Sequence, residues 1–129
     1  PLMDNISTQA KALLSGDKFV APQIPLIDGL GNVWQSYSTD VEKLYHYTLD
    51  TQVTKMYDFS KAIEVAIKEF APDKLIILGP GSTLGGSVAQ NLIKHKWLGM
   101  ETKSDFISQQ KEDPFVLAMG LAEQRKLVV

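Results

Sequence analysis

Apolar residues recur at helical spacing in several stretches of the chain, separated by glycine and proline punctuation. Leu2, Ile6, Ala10, Leu13 and Leu14 fall on one face of a helix over 1–15, which Gly16 ends. Val41, Leu44, Tyr45 and Leu49 repeat the pattern over 40–49. Ser38 or Thr39 stands at the cap, and Asp40 and Glu42 suit the positive end of the helix dipole. The strongest face is Phe59, Ile63, Ala66, Ile67 and Phe70, opened by Asp58 or Ser60 and closed by Pro72. Leu84, Val88, Leu92 and Ile93 mark a further helix, ending near Lys94. Between these lie shorter apolar runs of strand character: Ile24–Ile27, broken at Asp28-Gly29, then a brief Val33–Gln35, then Leu75–Leu78. Residues 51–56 read as irregular or loosely helical. Beyond Trp97, Phe106-Ile107 and the stretch Phe115 to Leu121 read as two amphipathic pieces, with Asp113-Pro114 as cap and first helical residue of the second. The expected domain is a single segment over 1–129, with 97–129 as a C-terminal helical extension.

The order of elements predicts an α/β fold with parallel strands flanked by helices. Two of the strands, 24–27 and 75–78, are apolar throughout, the pattern of strands covered on both faces. Two such strands cannot cover themselves. The chain is therefore expected to be part of a larger sheet, completed by further residues of the same protein or by a second chain.

Composition narrows the chemistry. The 129 residues are 44% apolar and 22% charged with a formal net charge of −2, so no global field favours nucleic acid or an anionic membrane. There is no cysteine, hence no disulfide framework, thiol nucleophile or Cys-based metal site. His46 and His95 are the only histidines, and no metal site is expected. No apolar run reaches the ~20 residues of a membrane helix, and the N-terminus lacks the character of a signal peptide. The expected location is the cytoplasm.

The densest punctuation is Gly79-Pro80-Gly81-Ser82-Thr83-Leu84-Gly85-Gly86, which turns the 75–78 strand into the following helix. It lacks both the G-x-G-x-x-G spacing of a dinucleotide site and the Gly-Lys-Ser/Thr of a P-loop. Glu101 stands about 20 residues on, with no strand to carry it. Ser82 is not in a G-x-S-x-G elbow. The corner reads either as a structural turn or as the rim of another kind of site. His46 reads as a packing or surface residue, and His95, in Lys94-His95-Lys96, as a cation at a helix end. Asp28 lies at the carboxyl end of a strand, where open α/β sheets place ligands. It also fits a plain Asp-Gly turn.

Several segments, taken in order, resemble the C-terminal part of malonyl-CoA:acyl-carrier-protein transacylases. Pro1-Leu2-Met3 is similar to the helix opening that follows that family's catalytic histidine. Val20-Ala21-Pro22-Gln23-Ile24-Pro25-Leu26-Ile27-Asp28-Gly29 resembles its proline-containing phrase, short strand and polar pair, with Asp28-Gly29 where two asparagines are usual. Gln52-Val53-Thr54-Lys55-Met56-Tyr57-Asp58-Phe59-Ser60-Lys61 resembles its glutamine phrase, with Met56 and Phe59 in place of proline and tryptophan. Gly79-Pro80-Gly81 and the glycines behind it match its glycine-proline-glycine corner, with Ser82 in place of a common lysine. The resemblance covers residues 1 to 94.

The resemblance implies the C-terminal half of an α/β-hydrolase-like acyltransferase core. It implies transfer of a malonyl or related acyl group from coenzyme A, through an acyl-serine, to the phosphopantetheine thiol of acyl carrier protein, the loading step of fatty acid and polyketide biosynthesis. The coenzyme A thioester is the substrate, the carrier protein is the partner, and no permanently bound cofactor is implied. The backbone carbonyl of Gln52 would orient the catalytic histidine. Met3, Asp28 and Gly29 would line the substrate pocket, and Gly79, Pro80 and Gly81 would shape the rear turn. Serine, histidine and arginine would lie upstream of Pro1, so the isolated chain is expected to be inactive. Two other readings stay open: a non-catalytic interaction module of the same architecture, and a small nucleotide-binding α/β domain.

Overall fold

The computed structural model describes residues 2–79, 81 and 83–129. The expectations placed on Pro1, Pro80 and Ser82 lie outside the described residues. The chain divides into two compact units, Pro1–Ala62 and Ile63–Val129. It is mixed α/β, with two small two-stranded sheets, one antiparallel and one parallel. No helix among the described residues is long and apolar enough to cross a membrane.

The first unit holds α1 (Leu2–Leu13), β1 (Leu26–Ile27), β2 (Val33–Trp34), α2 (Val41–His46), a π-helical segment (Tyr47–Thr51) and α3 (Gln52–Thr54). Asp40 caps α2 by accepting from the Glu42 and Lys43 amides, one residue beyond the expected cap. Helical structure then runs on to Thr54, the loosely helical of the two alternatives expected for 51–56. The first strand does not await a distant parallel neighbour. It pairs antiparallel with β2 in a hairpin, Leu26 opposite Trp34 and Ile27 opposite Val33.

The face of α1 also differs from expectation. Leu13 is 83% exposed, and Leu2 and Ile6 are exposed too, while Ser7 is buried. The cause is polar. The Ser7 hydroxyl donates to the Leu49 carbonyl at 2.7 Å, Lys11 pairs with Asp50, and the Tyr45 hydroxyl donates to the Lys11 carbonyl. These bonds turn the Ser7–Lys11 side of α1 onto the π-helical segment and leave its apolar stripe in solvent. The Lys11 ammonium beside Asp50 holds that carboxyl below its ordinary range, with Thr54 adding to the effect.

Helix α4 (Phe59–Phe70) leads into the second unit, which holds β3 (Leu75–Ile77), α5 (Leu84–Lys94), α6 (Lys103–Glu112), β4 (Val116–Ala118) and α7 (Ala122–Arg125). Strands β3 and β4 pair in parallel, Leu75 beside Val116 and Ile77 beside Ala118. The 97–129 stretch, expected as helical, therefore contains the second strand of this sheet. Periodicity misread it because Phe115, Val116, Leu117 and Ala118 are all buried, so no alternation marks a strand. Strand β3 shows the opposite departure: Ile77 is buried, but Ile76 is 47% and Leu78 82% exposed. Its continuous apolar run does not correspond to cover on both faces within this chain.

The two outer edges of this sheet differ. Leu75 and Ile77 of β3 bond toward Phe115 and Met119 of the β4 strand, so Val116 and Ala118 point their main-chain groups away from β3. Three of those four outward groups are taken by side-chain amides and the fourth by a main-chain N–H. Gln110 accepts from the Phe115 and Val116 N–H groups and donates to the Val116 carbonyl, each within 2.9 Å. Gln124 accepts from the Ala118 N–H at 2.7 Å, and the Ala118 carbonyl accepts from Leu121. On the other edge, the outward N–H and C=O of Ile76 meet no main-chain or side-chain partner among the described residues. The sheet is closed on the β4 side and open on the β3 side.

Candidate functional site

Three of the residues singled out from sequence, Asp28, Gly29 and Gln52, converge in the first unit. The convergence starts from the loop that closes the β1–β2 hairpin. The Asp28 carboxylate is buried and accepts four hydrogen bonds. Oδ1 takes the Leu30 and Asn32 amides at 2.8 Å each, and Oδ2 takes the Asn32 side-chain amide at 3.0 Å and the Trp34 indole N–H at 3.1 Å. Every acceptor direction is filled by a donor, and no cation pairs with the group among the described residues. Gly31, at φ 82°, completes the turn.

Gly29 is where this loop meets the helical segment. Its N–H donates to the Tyr47 hydroxyl at 2.8 Å, and its carbonyl accepts from the Asp58 N–H at 2.9 Å. A Cβ at this position would lie 2.4 to 2.9 Å from three ring carbons of Tyr57. Only glycine admits that ring so close.

Tyr47 opens the π-helical segment, and its ring packs on Trp34 with centroids 5.9 Å apart. π-Helical turns displace side chains from the regular helical stripe, which is how Tyr47 comes to face the hairpin while Leu49 stays buried. Around these groups lies a cavity of about 240 Å³. Its apolar wall is Leu26, Ile27 and Leu44, its aromatic wall is Trp34, Tyr47 and Tyr57, and Asp28, Thr48 and Gln52 supply polar groups. Burial raises the Tyr57 phenol above its ordinary pKa, and Tyr47 and Asp28 add to the shift.

Gln52 begins α3, with an exposed side chain on the rim. The helical run ends at Thr54, and Lys55 N–H bonds back to the Thr51 carbonyl. The Gln52 carbonyl therefore belongs to the last turn, where a helix leaves carbonyls without intrahelical partners. Met3, 45% exposed on α1, is not part of this lining. Gly79 and Gly81 belong to the second unit, at the end of β3, with φ of 104° and 75° that favour glycine. Gly81 also meets the β4 side closely, since a Cβ on Gly120 would lie 2.5 Å from its carbonyl oxygen.

Sequence reasoning passed over the aromatic walls. Tyr47, Tyr57 and Trp34 share no helical or strand period, because one sits in a π-turn, one in a connection and one at a hairpin end. The available signal was the Asp28, Asn32, Trp34 spacing, which suits a carboxylate bonding its own loop. His46 is exposed and packs edge-on to Tyr45. The His95 Nε2 is buried with no hydrogen-bond partner among the described residues.

Comparison of the chain with protein-family models, curated proteins and solved structures finds no match.

Proposed function

We propose that this chain is the C-terminal part of an acyltransferase of the malonyl-CoA:acyl-carrier-protein transacylase kind, with an α/β-hydrolase-like core. In this reading a serine and a histidine from a preceding segment form an acyl-serine from the coenzyme A thioester. The acyl group then passes to the phosphopantetheine thiol of acyl carrier protein in the cytoplasm. This chain supplies strands, supporting helices and one wall of the cleft. The observation that carries the reading is the asymmetric parallel sheet. Side-chain amides close its β4 edge, while the β3 edge leaves the Ile76 main chain and the Ile76 and Leu78 side chains uncovered. A self-contained sheet protects both edges, and an edge left open beside apolar side chains suits addition of another strand. Further support is the order of the sequence motifs and the Gln52 carbonyl, placed in a last helical turn beside the Asp28–Gly29 loop, where it can accept an imidazole N–H.

The test compares this chain alone with a polypeptide that adds the preceding serine- and histidine-bearing segment, each given malonyl-CoA or butanoyl-CoA and holo acyl carrier protein. Mass spectrometry reads the acylated carrier. The longer protein is expected to form an acyl-serine and load the carrier, and the chain alone to stay at the uncatalysed rate. Turnover by the chain alone, or full activity of the longer protein after residues 1–129 are deleted, overturns the proposal. The exposed apolar stripe of α1 favours a second reading, an interaction module that binds a partner without catalysis. Carrier-protein binding with no acyl-serine would select it.

A further inference from the structure

We propose that the cavity between the Asp28 loop and the π-helical segment binds a neutral ligand, an apolar body bearing a hydrogen-bond acceptor such as the carbonyl of an uncharged acyl thioester, and rejects the carboxylated counterpart. The walls set the body of the ligand. Leu26, Ile27 and Leu44 are apolar, and the rings of Trp34, Tyr47 and Tyr57 complete a space of about 240 Å³, enough for a small acyl chain.

The hydrogen-bond inventory sets its polar end. The Trp34 indole N–H is spent on Asp28, and the Thr48 hydroxyl on the Leu44 carbonyl. The Tyr47 oxygen accepts the Gly29 N–H, which leaves its own proton without an acceptor among the described residues. The Gln52 amide stands exposed on the rim. The donors left over are thus the Tyr47 and Tyr57 hydroxyls and the Gln52 side chain, and they call for an acceptor.

Charge decides between a neutral acceptor and an anion. The Asp28 carboxylate is part of the lining and is buried, and the lining residues include no lysine, arginine or histidine. A carboxylate brought into this space would face a fixed like charge while losing its hydration. The Tyr57 phenol feels the same field: after burial, Tyr47 and Asp28 both oppose formation of its anion.

Binding of this kind does not depend on the transferase reading, since it is read on the chain alone and acyl-serine formation is read on the longer protein. The probes are the butanoyl and malonyl thioesters of N-acetylcysteamine, titrated into the full 129-residue chain. The chain has two tryptophans, so its amide NMR spectrum carries two indole signals, one from Trp34 and one from Trp97 in the other unit. The butanoyl thioester is expected to shift the Trp34 signal saturably and leave Trp97 in place. The malonyl thioester should need about tenfold more for the same shift. Asp28→Asn is unsuitable as the charge test, because its amide would face the Asn32 and Trp34 donors. Gln52→Lys on the exposed rim leaves the loop intact and should narrow or reverse the preference. Equal or tighter binding of the malonyl thioester, a Trp34 signal unmoved by both probes, or a preference unchanged in Gln52→Lys overturns the proposal.

Discussion

Replacing Gln110 with alanine removes the device that closes β4, and its cost follows from the bonds lost. Gln110 makes three hydrogen bonds to Phe115 and Val116, both buried. Each is worth about 1 kcal/mol net, which gives about 3 kcal/mol for the set. Gln110 is itself partly exposed, so water entering behind alanine recovers part of that. The expected loss is about 2 kcal/mol, which raises the population of the open strand about thirtyfold. Native-state amide exchange at Val116, followed by NMR, measures this directly, with Leu44 in the other unit as an internal reference. Gln110→Glu gives a second arm. Ionised, it keeps the acceptor for the two N–H groups but sets an anion against the Val116 carbonyl. Protonation restores a donor, so its protection of Val116 should recover as pH falls through the carboxyl range. The opened edge should also make association concentration-dependent in Gln110→Ala. Val116 exchange within threefold of wild type, or a Gln110→Glu variant indifferent to pH, refutes the view that a glutamine substitutes for a neighbouring strand.

Two glycines should respond in opposite senses to alanine. Gly120→Ala places a Cβ 2.5 Å from the Gly81 carbonyl oxygen, a backbone atom that cannot step aside, and should cost about 1–3 kcal/mol in chemical denaturation. Gly86→Ala in α5 meets nothing within 4 Å and should stabilise by up to about 1 kcal/mol. Tyr57 gives an alkaline prediction. Its pKa is raised on folding by burial, so the folded state holds the phenolic proton more tightly than the unfolded chain. The stability this adds is fully present below the unfolded value of about 10 and is lost as pH rises through the folded one. Gly29→Ala should push the Tyr57 ring outward and return its titration, followed by ultraviolet absorbance, toward the ordinary tyrosine range.

Legibility in the sequence tracked how each segment is stabilised. The centres of the α4 and α5 faces were readable because Ile67, Val88 and Leu92 are buried by the apolar spacing that announces them, while Phe70 and Leu84 at the helix ends stay exposed. Strand β4 was not readable, because a short run buried throughout has no period to distinguish it from a helix. The α1 face was misjudged for a different reason. Its apolar stripe is real, but a single buried serine bond to Leu49 and an ion pair to Asp50 fix the rotation of the helix. No periodicity rule weighs a hydroxyl above Leu2, Ile6 and Leu13.

The same distinction separates what was and was not visible at the candidate site. Asp28 and Gly29 stood out because a strand ending in Asp-Gly marks a turn and a possible ligand position at once. In the fold the two roles fall to different residues. The Asp28 oxygens are fully occupied by their own loop, so Asp28 contributes charge and shape but no free acceptor. Gly29, by lacking a side chain, lets Tyr57 approach and hands its N–H to Tyr47. The groups with spare hydrogen-bonding capacity are then the Tyr47 and Tyr57 hydroxyls and the Gln52 amide, on a π-turn, in a connection and at the start of α3. A carboxylate that looks reactive in the sequence thus acts by holding its neighbours, and the chemistry open to a ligand passes to residues with no motif of their own.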